Sequence, residues 1–319
     1  MSTTALDSTY GAWFISLLLE TILYGMGILQ TWNYFAARAT DPRAVQATVA
    51  VVFFLETVQV IFFSISSYSR FVRNFGEIQV ELLWEDSLQL LAAYLSAFIV
   101  QIYFASRIHR LTEARKPLSL SALGIYIILL LSITQIVAGI IQTVWSYELR
   151  SFLKLGTTKA ITTLQSAASL ACDMLITTYL CLFLKSQKGE MMKTNSMMDL
   201  LIYDAINRGV LTALSSGVNM VLFLAVPDTF WFFLGLAPSS KLYMNSMMAT
   251  LNRRQHFREA IDYNDKGWNS IPMGTLASNA GGAKVGHHGQ GQASFGVVEF
   301  AETVSVDINA KRDEFPGCA

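Results

Sequence analysis

Seven stretches of this chain are long and apolar enough to be read as bilayer crossings, and that constrains the fold more than anything else in it. A hydrocarbon core about 30 Å thick takes roughly 20 mostly apolar residues in a helix. Such stretches run from about Tyr10 to Tyr34, Val45 to Ser66, Ser87 to Tyr103, Ser119 to Trp145, Ala160 to Leu184, Leu200 to Val226, and Phe230 to Leu251. Only 14% of the 319 residues are charged and 53% are hydrophobic, whereas a water-soluble domain carries about 25% charge. The expected fold is therefore all-α: a seven-transmembrane helix bundle over residues 1–251, followed by a tail over 252–319.

Charge distribution sets the expected orientation. Placing the N-terminus outside puts Arg38, Arg43, Arg107, Arg110, Arg115, Lys116, Lys185, Lys188, Lys193, Arg253, Arg254 and Arg258 on the inner side. The outer side then receives only Arg70, Arg73, Arg150, Lys154 and Lys159, as the positive-inside rule requires. The tail would be cytoplasmic. It is rich in Gly, Ser, Ala and Asn beyond Asp262, so it is expected to be mostly disordered. Val298, Phe300, Val304, Val306 and Ile308 mark one strand-like or docking segment within it. The first apolar run has no Lys or Arg before Arg38 and is too long for a signal-peptide core, so it reads as a retained anchor. Trp13, Trp32, Trp145 and Trp231 lie near span ends, where an interfacial belt is expected.

Equal totals of Lys+Arg and Asp+Glu, 23 each, leave no basic excess for nucleic acid. The lipid bilayer is the expected partner, with a signalling protein at the basic inner loops. Cys172, Cys181 and Cys318 form no disulfide framework, and no N-x-[ST] acceptor occurs. H-E-x-x-H, G-x-S-x-G and phosphate-loop motifs are absent, so neither an enzyme nor a cofactor is expected. Lys241 in the seventh span invites comparison with a retinal lysine. Microbial rhodopsins place an acid four residues earlier, where this chain has Ala237. The methionines around Met244 and Met247-Met248 read as filler in apolar helices.

Ionisable groups inside apolar spans cost roughly 2.5–3.5 kcal/mol each on insertion scales, so each calls for a reason. They are Glu20, Glu56, Asp173, Arg208 and Lys241. Asp204 stands four residues before Arg208 and can pair with it along one helix face. In the fifth span Thr162, Ser166, Ser169, Asp173 and Thr177 recur every three or four residues. Asp204, Arg208, Thr212, Ser215 and Asn219 do so in the sixth, and Ser239, Tyr243, Ser246 and Thr250 in the seventh, beside Lys241 and Asn245. Three polar stripes must turn from lipid, so these helices are expected to face one another, with Asp173 opposite Lys241 or Arg208. The candidate ligand or ion pathway comprises Glu20, Glu56, Asp173, Arg208, Asn219, Lys241 and Asn245. Against it stands the plainer reading that hydroxyls and amides bond helix to helix as packing glue.

The segment Asn207-Arg208-Gly209, with Leu211-Thr212-Ala213, Pro227, and the run from Lys241-Leu242-Tyr243 through Asn252-Arg253, resembles the C-terminal half of a family of multi-span proteins from mushroom-forming fungi. That family is catalogued as domain of unknown function 6534. The match is most specific over about Thr194 to Arg254, with Met247-Met248 where the family more often has leucines. Glu20 and Glu56 agree more loosely. The resemblance implies a seven-helix fungal integral membrane protein without an established activity. No D-R-Y-like tripeptide follows the third span, where the chain reads Ser106-Arg107-Ile108-His109-Arg110, and Pro238 stands outside any N-P-x-x-Y. The expectation is a divergent seven-helix receptor or sensor. The alternative is a secondary transporter or channel with a polar pathway between helices 5, 6 and 7. Plasma membrane is preferred over endomembrane.

Overall fold

In the structure, a computed structural model, residues 7–37, 41–76, 81–113, 119–186, 192–226 and 229–269 are described. They form seven long helices: α1 (Ala12–Ala36), α2 (Arg43–Tyr68), α3 (Trp84–Glu113), α4 (Ser119–Leu149), α5 (Lys159–Ser186), α6 (Met192–Ala225) and α7 (Phe233–Asn269). Among the described residues, six segments are long and apolar enough to cross a membrane: Ser8–Ala36, Arg43–Arg73, Trp84–Arg110, Leu123–Leu149, Gly156–Ser186 and Met198–Ala225. The seventh expected crossing does not meet that measure. The reason is physical: from Thr229 to Arg254 no residue of this segment is exposed, so α7 touches protein and can carry the polar residues that lipid would exclude. It also continues past Leu251 to Asn269. The compact unit holding the bundle is Met1–Asn264, and Asp265–Ala319 form a second unit. The strand-like segment of the tail, Cys318 and His287-His288 lie outside the described residues.

Contacts at the helix ends fix the direction of each helix. Trp13 at the start of α1 donates from its indole to Ser67 Oγ near the end of α2, at 2.8 Å. It packs on Phe63 and on Phe233 at the start of α7, with ring centroids 5.0 and 4.4 Å away. This is called the upper end. At the lower end, the Tyr34 hydroxyl of α1 donates to Asp41 just before α2, and Arg254 of α7 reaches the same carboxylate at 3.7 Å. Odd-numbered helices therefore run downward and even-numbered ones upward. Each of α1 to α5 packs on its successor, and α3 also meets α5.

The packing is inverted relative to a water-soluble bundle. Leu18, Ile22, Leu29, Phe54, Leu130, Leu182 and Leu214 stand on the outer surface, each more than half exposed. Glu20, Glu56, Arg70, Asp173, Arg208 and Lys241 are buried. In hydrocarbon this arrangement is required, because a lipid-facing charge has no partner. Two apolar clusters stack along the bundle. The upper one gathers Trp13, Phe63, Phe152, Phe230 and Phe233, and the lower one Tyr34, Val52, Phe104, Ile176, Met244, Met247 and Met248. Trp13 thus departs from the expected interfacial belt: it is fully buried, whereas Trp32 is 74% exposed. Its ring is held inward by the phenylalanines, by Ser67 and by the Arg70 guanidinium, 4.7 Å above it.

α6 and α7 approach closely enough to demand glycine. A Cβ on Gly235 would lie 2.5 Å from the backbone nitrogen of Asn219 and from the carbonyl oxygen of Ser215. That carbonyl side of the contact is reinforced, since Ser215 Oγ donates to the Gly235 carbonyl at 2.7 Å. Small residues at membrane helix interfaces permit such approach.

Candidate functional site

A polar layer lies between the two apolar clusters, and its centre is Lys241. The ammonium donates to Gln59 Oε1 at 2.8 Å and forms ion pairs with Glu56 Oε2 at 2.7 Å and Glu20 Oε1 at 3.0 Å. Helices α1, α2 and α7 each supply one charge. Glu56 also accepts from Ser96 Oγ of α3. Ser240 Oγ lies 3.1 Å from Glu56 Oε2 and 2.5 Å from Gln59 Oε1. Two carboxylates on one ammonium leave one formal negative charge in the bundle interior when all three are ionised. The more richly bonded acid is Glu56. Glu20 Oε2 has no hydrogen-bond partner.

A second cluster sits beside it on α3, α5, α6 and α7. The Tyr243 hydroxyl donates to Asp173 Oδ2, and Gln101 Nε2 lies 3.4 Å from Asp173 Oδ1. Ser169 Oγ is 3.0 Å from the same hydroxyl. Arg208 interacts electrostatically with Asp173 without a direct ion pair. It donates to Thr177 Oγ1 at 3.3 Å and lies over the Phe104 ring, its carbon 3.9 Å from the centroid.

The three polar stripes do face one another, as Ser169 with Tyr243, Asn219 with Ser166 and Ser215 with Gly235 attest. Two expected pairings are corrected. Lys241 belongs to Glu20 and Glu56 rather than Asp173, because the α7 face that carries it turns to α1 and α2. Asp204 does not pair with Arg208. It pairs with Arg253 of α7 at 3.0 Å, while Arg208 points inward to Thr177 and Phe104. Asn245 stands apart from both clusters and donates to the Leu23 carbonyl of α1 at 2.9 Å.

Above the polar layer is a narrow cavity with ≈ 50 Å³ of free space. Phe152, Phe223, Phe232 and Phe233 give it aromatic walls, and Gln59, Gln89, Gln142, Thr162 and Asn219 contribute polar groups. Asp86 lines it too, held by Arg70 at 2.5 Å. A smaller cavity with ≈ 20 Å³ of free space adjoins it and shares Ala93, Asn219 and Leu236 as lining. Gln135 lines the smaller cavity. It is 1% exposed, yet neither polar atom of its amide has a partner among the described residues. Buried amides are rarely left so without water or a ligand. The cavities draw on α2, α3 and α4 as well as the expected α5, α6 and α7. Sequence reasoning missed Gln59, Ser96 and Gln135, which lie outside the three spans whose polar stripes it followed, and Ser240, which falls off the stripe of the seventh span. Gln59 had a usable signal: it stands three residues after Glu56, on the same helix face.

The fold and the buried polar layer are those of a multi-pass helical membrane protein. Residues 169–256 match the model of a family of unknown function (DUF6534). The matched segment contains Asp173, Arg208, Asn219, Lys241 and Asn245, but not Glu20 or Glu56. No curated protein and no solved structure matches the chain.

Proposed function

We propose that the chain is a seven-crossing receptor or sensor, upper end outside, that binds a small, largely apolar ligand in the upper cavity. The observation that carries this reading is the connection between cavity and charge. Gln59 lines the cavity and its Oε1 accepts directly from Lys241. A ligand group that engages Gln59 alters the bonding of the one cation joining α1, α2 and α7. Aromatic walls with a few convergent polar groups are the usual lining of small-molecule sites. A signalling partner would meet the basic lower end. Plasma membrane and fungal origin accord with this reading, and no catalytic chemistry is assigned.

The test is mass spectrometry of small molecules that co-purify with the full-length protein from native membranes. Leu90→Trp, which fills the cavity, serves as comparison. A species enriched with wild type and absent from the variant is expected. Identical profiles would remove the ligand site.

A secondary transporter is the second reading, favoured by the uncompensated carboxylate and the two adjoining cavities. Proteoliposomes in which wild type drives proton or substrate flux, and Asp173→Asn does not, would select it over the sensor.

A further inference from the structure

The lower end holds a groove with ≈ 480 Å³ of free space, separate from both clusters described above. Arg107 and Arg110 of α3 and Arg254 of α7 stand at its mouth. Phe98, Ile99 and Ile102 line its depth, and Val45, near the lower end of α2, lines it closer to the arginines. From Phe98 to Arg110 the α3 axis rises about 18 Å at 1.5 Å per residue, so the lining changes from cationic to apolar along the length of an acyl chain. Arg107 and Arg110 make no hydrogen bond or ion pair with any described residue, and Arg254 has only the 3.7 Å contact to Asp41. The acid nearest in charge to Arg107 is Asp204, which Arg253 already holds at 3.0 Å. Three guanidiniums therefore share a mouth that no acid lines among the described residues.

We propose that this groove binds one anionic phospholipid, its phosphate on Arg107, Arg110 and Arg254 and an acyl chain along Phe98, Ile99 and Ile102. Charge complementarity names the headgroup and the apolar depth names the tail. The level agrees as well. Along α3 the apolar run gives way to Ser106, Arg107, His109 and Arg110, so the guanidiniums lie where phosphates begin, and basic pockets between helices hold anionic headgroups there. A peptide helix would need no such depth aligned with the spans. The inference is independent of the upper cavity.

The experiment uses the full chain, delipidated in neutral detergent, with native mass spectrometry after addition of palmitoyl-oleoyl phosphatidylserine or phosphatidylcholine. One phosphatidylserine per protein is expected, retained about tenfold or more over phosphatidylcholine. At about 1 kcal/mol per basic residue, each guanidinium is worth about fivefold. Arg107→Gln with Arg110→Gln removes most of the preference. Ile99→Trp blocks the depth and reduces retention of both lipids while leaving the arginines in place. Both variants keep the wild-type melting temperature in lipid-free detergent. Equal retention of the two lipids overturns the proposal, as does a preference that survives the double variant. Competition by glycerophosphoserine as strong as by the intact lipid reduces the site to a phosphate site and overturns the acyl assignment. Displacement of the lipid by a co-purified protein, with no lipid found on the protein-free fraction, also overturns it.

Discussion

Lys241 is the residue on which most of the interior depends, and its neighbours rank the damage expected from substitution. Lys241→Met leaves Glu20 and Glu56 facing each other without a cation. Removing one partner of a buried pair costs about 3–5 kcal/mol, so this variant should lose most of its folded yield. Glu56→Gln comes second, because Glu56 holds the shorter ion pair and the bonds from Ser96 and Ser240. Glu20→Gln should be mildest, since it removes the excess negative charge and keeps the Lys241–Glu56 pair. Thermal midpoints in detergent give the order, and a Glu20→Gln more damaging than Glu56→Gln would contradict it. Asp173→Asn keeps an acceptor for Tyr243, so membrane expression should hold while ligand response or flux falls. Equal loss of expression and response would assign Asp173 to structure. Five of the buried ionisable residues, Glu20, Glu56, Asp173, Arg208 and Lys241, were legible in the sequence because each is costly in an apolar run. Their partners were not. Spacing exposes neighbours on one helix, which made Asp204 with Arg208 attractive, whereas Lys241 meets groups 182 residues or more away in the chain.

At the scale of elements, hydropathy located all seven helices and misjudged their ends. Apolar content falls where helices leave the hydrocarbon, yet backbone hydrogen bonding continues, as α3 extending to Glu113 and α7 to Asn269 illustrate. Two positions govern how elements join. Gly235→Ala places a methyl against the α6 backbone, which cannot move aside as a side chain would. The α6–α7 approach must open, and the thermal midpoint should drop by several degrees. If Gly235→Ala melts with wild type, the close approach is not a stability determinant. Arg150, just past α4, has φ 51°, a left-handed conformation that a side chain disfavours. Arg150→Gly should therefore stabilise the α4–α5 connection by about 0.5–1 kcal/mol, visible as a higher midpoint.

For the whole molecule, the open quantity is how many times the chain crosses and in which direction. Composition alone counts six crossings, because α7 is sheathed by protein and has the polarity of an interior element. Geometry bears on the same point differently. α7 begins beside Trp13 at the upper end and reaches Asp204 and Asp41 through Arg253 and Arg254 at the lower end. It covers the same span as α1, so seven crossings put the two ends of the bundle on opposite sides of the membrane. Cysteine scanning with an impermeant thiol reagent on intact cells tests this directly. A background with Cys172, Cys181 and Cys318 changed to Ser is used first. Phe75→Cys, 86% exposed in the native structure beyond α2, should label if the upper end is outside. Arg254→Cys should label only after the membrane is permeabilised. Labelling of both on intact cells would make α7 a re-entrant or surface helix and reduce the count to six. The reverse pattern would keep seven crossings and invert the protein, which would place the upper cavity on the cytoplasmic side and remove its role as an extracellular sensor site.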